Sequence, residues 1–236
     1  MLEQYDLYNL LVLDIETVPQ YSNFEDVPPH LQKLWDAKTI TQRKEATPHE
    51  FYERAGIWAE FGKIVCISVG MFTGRQNVGM RIKSFAGHNE KELLIDFCDL
   101  LNKQPANMVL CAHNGREFDF PYLCRRMLIN GLKHPPQLEI SGKKPWEINH
   151  LDTMDLWKFG DYKSYTSLSL LTAIFDIPTP KDDIDGSMVG HVYWQEGAVD
   201  RICTYCQKDV VATAQLIRRF RGEELIPDEN ITIVGC

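Results

Sequence analysis

The stretch Leu10-Leu11-Val12-Leu13-Asp14-Ile15-Glu16-Thr17 constrains this chain more than any other. An apolar run bounded by polar residues predicts a buried strand. Side chains alternate faces along a strand, so Asp14 and Glu16 point the same way. Two acids side by side at the end of a buried strand repel each other unless a positive charge lies between them. A divalent cation with a preference for oxygen is the simplest such charge. The spacing also suits a strand end simply open to water, and the rest of the chain must decide.

The chain has 236 residues, 44% of them hydrophobic, enough for one α/β domain with a core and an insertion. A net charge of -8 excludes a global basic footprint, so any nucleic acid must be held by local basic patches and metal ions. Seven cysteines are scattered along the chain. The first ten residues show no basic segment followed by an apolar core, and no apolar run reaches the roughly 18 residues of a membrane span. The expectation is a reduced, soluble, cytoplasmic protein. Cys203-Thr-Tyr-Cys206 has no second CxxC pair, so it reads as two small residues on a helix before a zinc or redox site.

A first strand is predicted to end near Ile15. Residues 18–62, punctuated by Pro19, Pro28, Pro29 and Pro48, read as an insertion with short helices over 30–37 and 49–58. Strands over 63–72 and 80–85 form a hairpin around Gly74. A helix over 90–103 is capped by Asn89, and a buried strand follows over 108–112. A helix then has Pro121 in its first turn and closes at Gly131. Further expectations are a strand over 150–156, a helix over 167–175, a loop over 176–190 and a long helix over 198–220. Residues 225–236 form a tail with no assigned place. Strands alternating with helices suggest a mixed sheet.

Two more stretches carry chemistry. In Asn114-Gly-Arg-Glu-Phe118-Asp119, the chain leaves a strand and enters a helix. Asp119 there can cap the helix, or project a carboxylate over the carboxyl edge of the sheet. Asn114 can hydrogen-bond a phosphate or base, and Phe118 can stack on one. In the last helix, Tyr205 and Asp209 stand at i and i+4 on one face near the packed side. A buried Asp209 needs a partner, with Arg201, Lys208 or a metal as candidates.

D-I-E, N-x3-F-D and Y-x3-D, in that order on strand, helix start and helix, resemble the three motifs of the DEDD exonucleases. The tyrosine resembles the DEDDy branch. From about Leu10 to Arg221 the chain looks similar to stand-alone relatives of the proofreading exonuclease of family B DNA polymerases. The resemblance implies a ribonuclease H-like α/β fold with a mixed five-stranded sheet flanked by helices and an insertion after the first strand. It implies one exonuclease domain over 1–236, with 18–62 inserted and 222–236 as a tail. It further implies 3′–5′ hydrolysis of single-stranded nucleic acid, DNA before RNA. The catalytic set would be Asp14, Glu16, Asp119, Tyr205 and Asp209, with the four acids holding two Mg²⁺ or Mn²⁺ ions. Phosphodiester hydrolysis asks for such a set: two ions about 3.5–4 Å apart serve the attacking and leaving oxygens. Tyr205, with a reference pKa near 10, is a donor and orienter rather than a base.

Three other readings compete. An RNA-trimming 3′–5′ exoribonuclease would use the same acids, and a non-catalytic nucleic-acid-binding module would keep the same fold. His150-Leu-Asp152, His191 and Arg201 also follow the HxD…H…R spacing of iron and 2-oxoglutarate oxygenases, but that site needs a many-stranded jelly roll and 165–220 reads helical. Arg125, Arg126, Lys133, Lys143 and Lys144, among Pro135, Pro136, Pro145 and Trp146, form either a phosphate-tracking wall or a solvated loop.

Overall fold

The computed structural model describes residues 2–75, 78–161, 163, 165–178 and 184–236. Six strands form one sheet in the order β5-β4-β1-β2-β3-β6. The first strand, β1 (Leu10–Pro19), pairs antiparallel with β2 (Gly62–Thr73) and parallel with β4 (Val109–Ala112). β3 (Gly79–Ala86) completes a hairpin with β2, and β5 (Leu151–Asp152) lies parallel beyond β4. This is the mixed ribonuclease H-like sheet that was expected, with one strand more. The additional strand β6 (Ile231–Ile233) comes from the tail that the sequence left unassigned, and it pairs parallel with β3. A three-residue strand whose partner lies 151 residues away has no local signature.

The period of two in β1 sorts its side chains onto two faces. Leu11, Leu13 and Ile15 enter a core with Leu94 and Phe97 of α2 (Glu90–Asn102) and Phe120 and Leu123 of α3 (Asp119–Ile129). Leu10 and Val12 face α7 (Val199–Phe220), packing with Val210, Ala214 and Ile217. Asp14 and Glu16 continue this second face toward the carboxyl end of β1. Close approach of α7 requires Gly70 on β2, where a Cβ would fall 2.8 Å from Val210 Cγ1. A register shift between Glu16 and Thr17 bulges β1 just past the second acid. Such bulges re-aim side chains at the end of a strand.

The insertion is a built substructure. Helix α1 (Pro29–Thr39) and a 3₁₀ helix (Glu50–Ile57) enclose Trp35, whose indole donates to the Pro48 carbonyl at 2.8 Å amid Tyr52, Trp58 and Phe61. The Gly56 carbonyl accepts from both Thr17 and Tyr122 at 2.8 Å, tying the insertion to β1 and α3.

Four expectations need correction. The strand over 150–156 is only Leu151–Asp152, after which α4 (Thr153–Lys158) begins, because the Asp152 carboxylate caps the backbone N–H groups of Met154 and Asp155. Arg126 belongs to no phosphate wall: it is buried and paired with Glu90 through contacts of 2.8 and 2.5 Å. The cysteines are not all reduced, since Cys203 forms a disulfide with Cys236. Loop 176–190 is interrupted by α6 (Val189–His191), which runs into a π-helical turn (Val192–Glu196). The parts of that loop and of the Gly74 turn at 179–183 and 76–77 lie outside the described residues. Among the described residues, no helix is long and apolar enough to cross a membrane.

Candidate active site

The carboxyl end of β1, the start of α3 and the middle of α7 bring the acids together. Asp14 is half-buried, whereas Glu16 and Asp119 are 7% and 3% exposed. Burial pushes the Asp14 carboxyl well above its ordinary range, and the charges of Glu16, Asp209 and Asp119 push it further. Glu16 is raised first by burial, then by Asp209, Cys66 and Asp119. Asp119 is raised to about 7, chiefly by burial, although its own backbone N–H and that of Ile15 favour the ionised form. These mutual effects place all four carboxyls within one electrostatic neighbourhood.

One oxygen each from Asp14 and Glu16 and the sulfur of Cys206 lie within 4.8 Å of one another. Closely set oxygen donors, each favouring protonation for want of a counter-charge, fit a hard divalent cation. The Cys206 Sγ approaches Asp14 Oδ2 at 3.3 Å and the Asp14 carbonyl at 3.4 Å. Reading Cys206 only as a small helix residue missed this contact, because the i+1 position after Tyr205 shows no partner in sequence. Beneath it a buried polar row runs across the sheet, from Ser68 to Ser84 at 2.8 Å and from Ser84 to the Gln207 amide at 2.9 Å.

Tyr205 shares a face with Asp209, as the i, i+4 spacing predicted, and its hydroxyl donates to that carboxylate. Burial, then the charges of Asp209, Glu16 and Asp14, hold the phenol protonated far above its ordinary range. Of the candidate partners for Asp209, Arg201 pairs with Glu196. Asp14, Tyr205 and Asp209 line an open cleft of about 440 Å³, together with His113, Tyr165 and Ser167.

Asn114 has a left-handed backbone, φ +64°, and its N–H donates to Asp152 at 2.9 Å. Phe118 is half-buried against Tyr122, with ring centroids 5.3 Å apart, on the opposite core. Neither side chain lines the 440 Å³ cleft. Two residues that the exonuclease reading gave no role support its walls instead. Asp152 gathers the backbone N–H groups of Asn114 and Arg116 at 2.9 and 3.0 Å, fixing the loop before Asp119. His113 bridges Thr153 Oγ1 and the Thr166 carbonyl at 2.9 and 3.0 Å, pinning the far wall. Nε2 donates to that carbonyl, and burial favours the neutral ring.

The oxygenase arrangement does not form. Both nitrogens of His150 are used by backbone groups, the Leu110 N–H and the Gln137 carbonyl. Asp152 is a helix cap, and His191 is an exposed residue near Glu196.

The family described as "Predicted 3'-5' exonuclease related to the exonuclease domain of PolB" matches residues 57–224. The chain belongs to this family. The matched span contains Asp119, Tyr205 and Asp209 and begins after Asp14 and Glu16. Membership implies a nuclease class and a nucleic-acid substrate, and domains of this kind usually use divalent metals. The chain is also similar to the family B DNA polymerase from the hyperthermophilic archaeon Pyrobaculum calidifontis, with a TM-score of 0.53 and 16% identity. That likeness, one of fold, covers 89% of this chain but only 24% of the polymerase chain.

Proposed function

We propose that this protein is a 3′–5′ exonuclease that removes nucleotides from the free 3′ end of single-stranded nucleic acid, DNA before RNA, and that residues 1–236 act as one domain. Its proposed location is the cytoplasm, in keeping with five free thiols among seven cysteines. The observation that carries the reading is the convergence of Asp14, Glu16, Asp119 and Asp209, each acting electrostatically on others of the set.

In this reading the four carboxylates hold two Mg²⁺ or Mn²⁺ ions. When bound, the ions supply an activated water and charge stabilisation for the leaving oxygen. Asp119 and Glu16 are rigidly placed by burial, so they need little reorganisation on loading. The Tyr205 hydroxyl stays protonated; with Asp209 engaged by an ion, its one proton would turn from that carboxylate to a water or a phosphate oxygen, so the phenol orients by donating and does not accept a proton. His113 and Asp152 position the walls and do not touch the reacting atoms.

The test is a time course on 3′- and 5′-labelled DNA and RNA strands with Mg²⁺, Mn²⁺ or chelator. Stepwise loss from the 3′ end, dependent on metal and absent in Asp14→Ala and Asp209→Ala, is expected. Faster RNA trimming would reassign the sugar. Binding without cleavage under every condition would leave only a binding module, and efficient cutting of single-stranded circles would overturn the exonuclease.

A further inference from the structure

A second cleft, of about 720 Å³, lies between the insertion and the helical segment that contains α6. One wall carries Phe24, His49 and Tyr52 from the insertion; the other carries His191, Trp194 and Gln195. We propose that this cleft seats unpaired nucleobases of the strand whose 3′ end occupies the carboxylate site, so that the insertion grips the strand upstream of the scissile bond. The inference rests on the exonuclease reading and extends it to substrate recognition.

The walls are preformed. Phe24 packs on Tyr52 and His49 with centroids 5.6 and 6.1 Å apart. The Trp194 indole donates to the Pro19 carbonyl at 3.1 Å, and the Lys63 ammonium lies 4.7 Å from its ring. Rigid aromatic faces stack on bases with little loss of side-chain freedom. The charge also selects a base over a phosphate. Glu50 and Glu53 line the cleft, whereas among the described residues no lysine or arginine lines it, and Lys63 is taken up against the Trp194 ring. An anion is disfavoured there, and a neutral ring with hydrogen-bonding edges is not. The phosphates must then run outside and the bases turn inward.

The two clefts are lined by neighbouring residues of the same two segments. Asp14 lines one and Pro19, five residues along β1, lines the other. Ile184 and Asp185 line the first, and Ser187 and Gly190 the second. A Cβ at Gly186 would sit 4.0 Å from the Tyr205 hydroxyl, and one at Gly190 would sit 3.6 Å from Pro19. Five residues of strand are about 17 Å. At a stacked rise of about 3.4 Å that is no more than roughly five nucleotides. The gripped bases therefore lie between the second and fifth positions from the 3′ end.

The test uses single strands with 2-aminopurine at successive positions from the 3′ end, mixed with the full chain in chelator. Wild type should quench most strongly at positions two to five. Phe24→Ala and the double variant His191→Ala/Gln195→Ala should lose that quenching. With metal, both should raise KM for a twelve-nucleotide strand about five- to 150-fold, as expected from losing one stacked base. KM and kcat for a dinucleotide should not change. His191 and Gln195 are exposed, so the double variant carries the test if Phe24→Ala fails to fold. Unchanged quenching and KM in a double variant that still trims 3′ ends would overturn the cleft assignment alone. A wild type that never trims 3′ ends with either metal would overturn the exonuclease reading and this inference with it.

Discussion

The Cys206 thiol lies 3.3 Å from Asp14 Oδ2 and donates to it, latching α7 to β1 beneath the acidic cluster. Among the described groups acting on the Asp14 carboxyl, this one favours ionisation, against burial and the charges of Glu16, Asp209 and Asp119. Cys206→Ala should therefore raise the proton affinity of Asp14 and weaken Mn²⁺ binding by on the order of tenfold, as loss of a hydrogen bond to a ligand does elsewhere. Isothermal calorimetry checks this. An unchanged affinity would show that Asp14 does not depend on the thiol.

Stability without metal should fall as pH rises. The folded Asp119 carboxyl titrates near 7, against an ordinary value of 3.8. A raised folded value means that the folded state binds the proton more tightly. Its contribution is complete below about pH 4 and is lost by about pH 7, at roughly 1.4 kcal/mol per unit of difference. Asp14 and Glu16 shift in the same direction. Asp119→Asn should thus gain stability over wild type at pH 8 and lose that advantage at pH 5. Urea titrations of metal-free protein at the two pH values decide the matter. An equal difference at both would mean that Asp119 does not titrate in that window.

Tyr205→Phe should slow catalysis without disturbing the metal. The ring and its packing stay, and only the donor to Asp209 is lost. Removing one preorganised donor costs about 2.7–4 kcal/mol where it carries the developing charge. Metal ions share that load here, so kcat should drop roughly ten- to hundredfold. Single-turnover rates and Mn²⁺ affinity, measured side by side, separate the roles. A silent substitution would remove Tyr205 from the chemistry, and lost Mn²⁺ binding would make it a support for Asp209.

Arg126→Ala should cost about 3–5 kcal/mol, the usual effect of stranding one member of a buried ion pair. Glu90, the stranded partner, also accepts from the Ile64 N–H at 2.8 Å and anchors β2. The urea midpoint should drop sharply. Strand affinity, measured where the variant is still folded, should not change, because Arg126 cannot reach a bound phosphate.

What sequence could reveal was set by how local each cause is. Asp14 and Glu16 share a face because a strand has a period of two, whatever surrounds it. Tyr205 and Asp209 share one because a helix repeats every 3.6 residues. Arg126 looked like a surface cation because its partner Glu90 lies 36 residues earlier. Asp152 was hidden because His150 to Leu156 alternates acceptably as a strand, and only the three-dimensional loop at 113–116 shows what its carboxylate gathers. The insertion showed as a long connection, but its aromatic core around Trp35 depends on contacts between segments that no single period encodes.

β6 covers the outer edge of β3 with only three residues, Ile231 to Ile233. Beyond them, the Val234 N–H still donates to the Ile82 carbonyl at 2.7 Å, and Gly235, with φ +83°, leads to Cys236 and its disulfide with Cys203. An uncovered β3 would present an eight-residue edge of unpaired N–H and C=O groups, ready to accept a strand from another molecule. The short outer strand thus acts as a guard against aggregation. Shortening the chain before Asp228 would bare that edge to pairing with another molecule, even with every acid of the cleft in place.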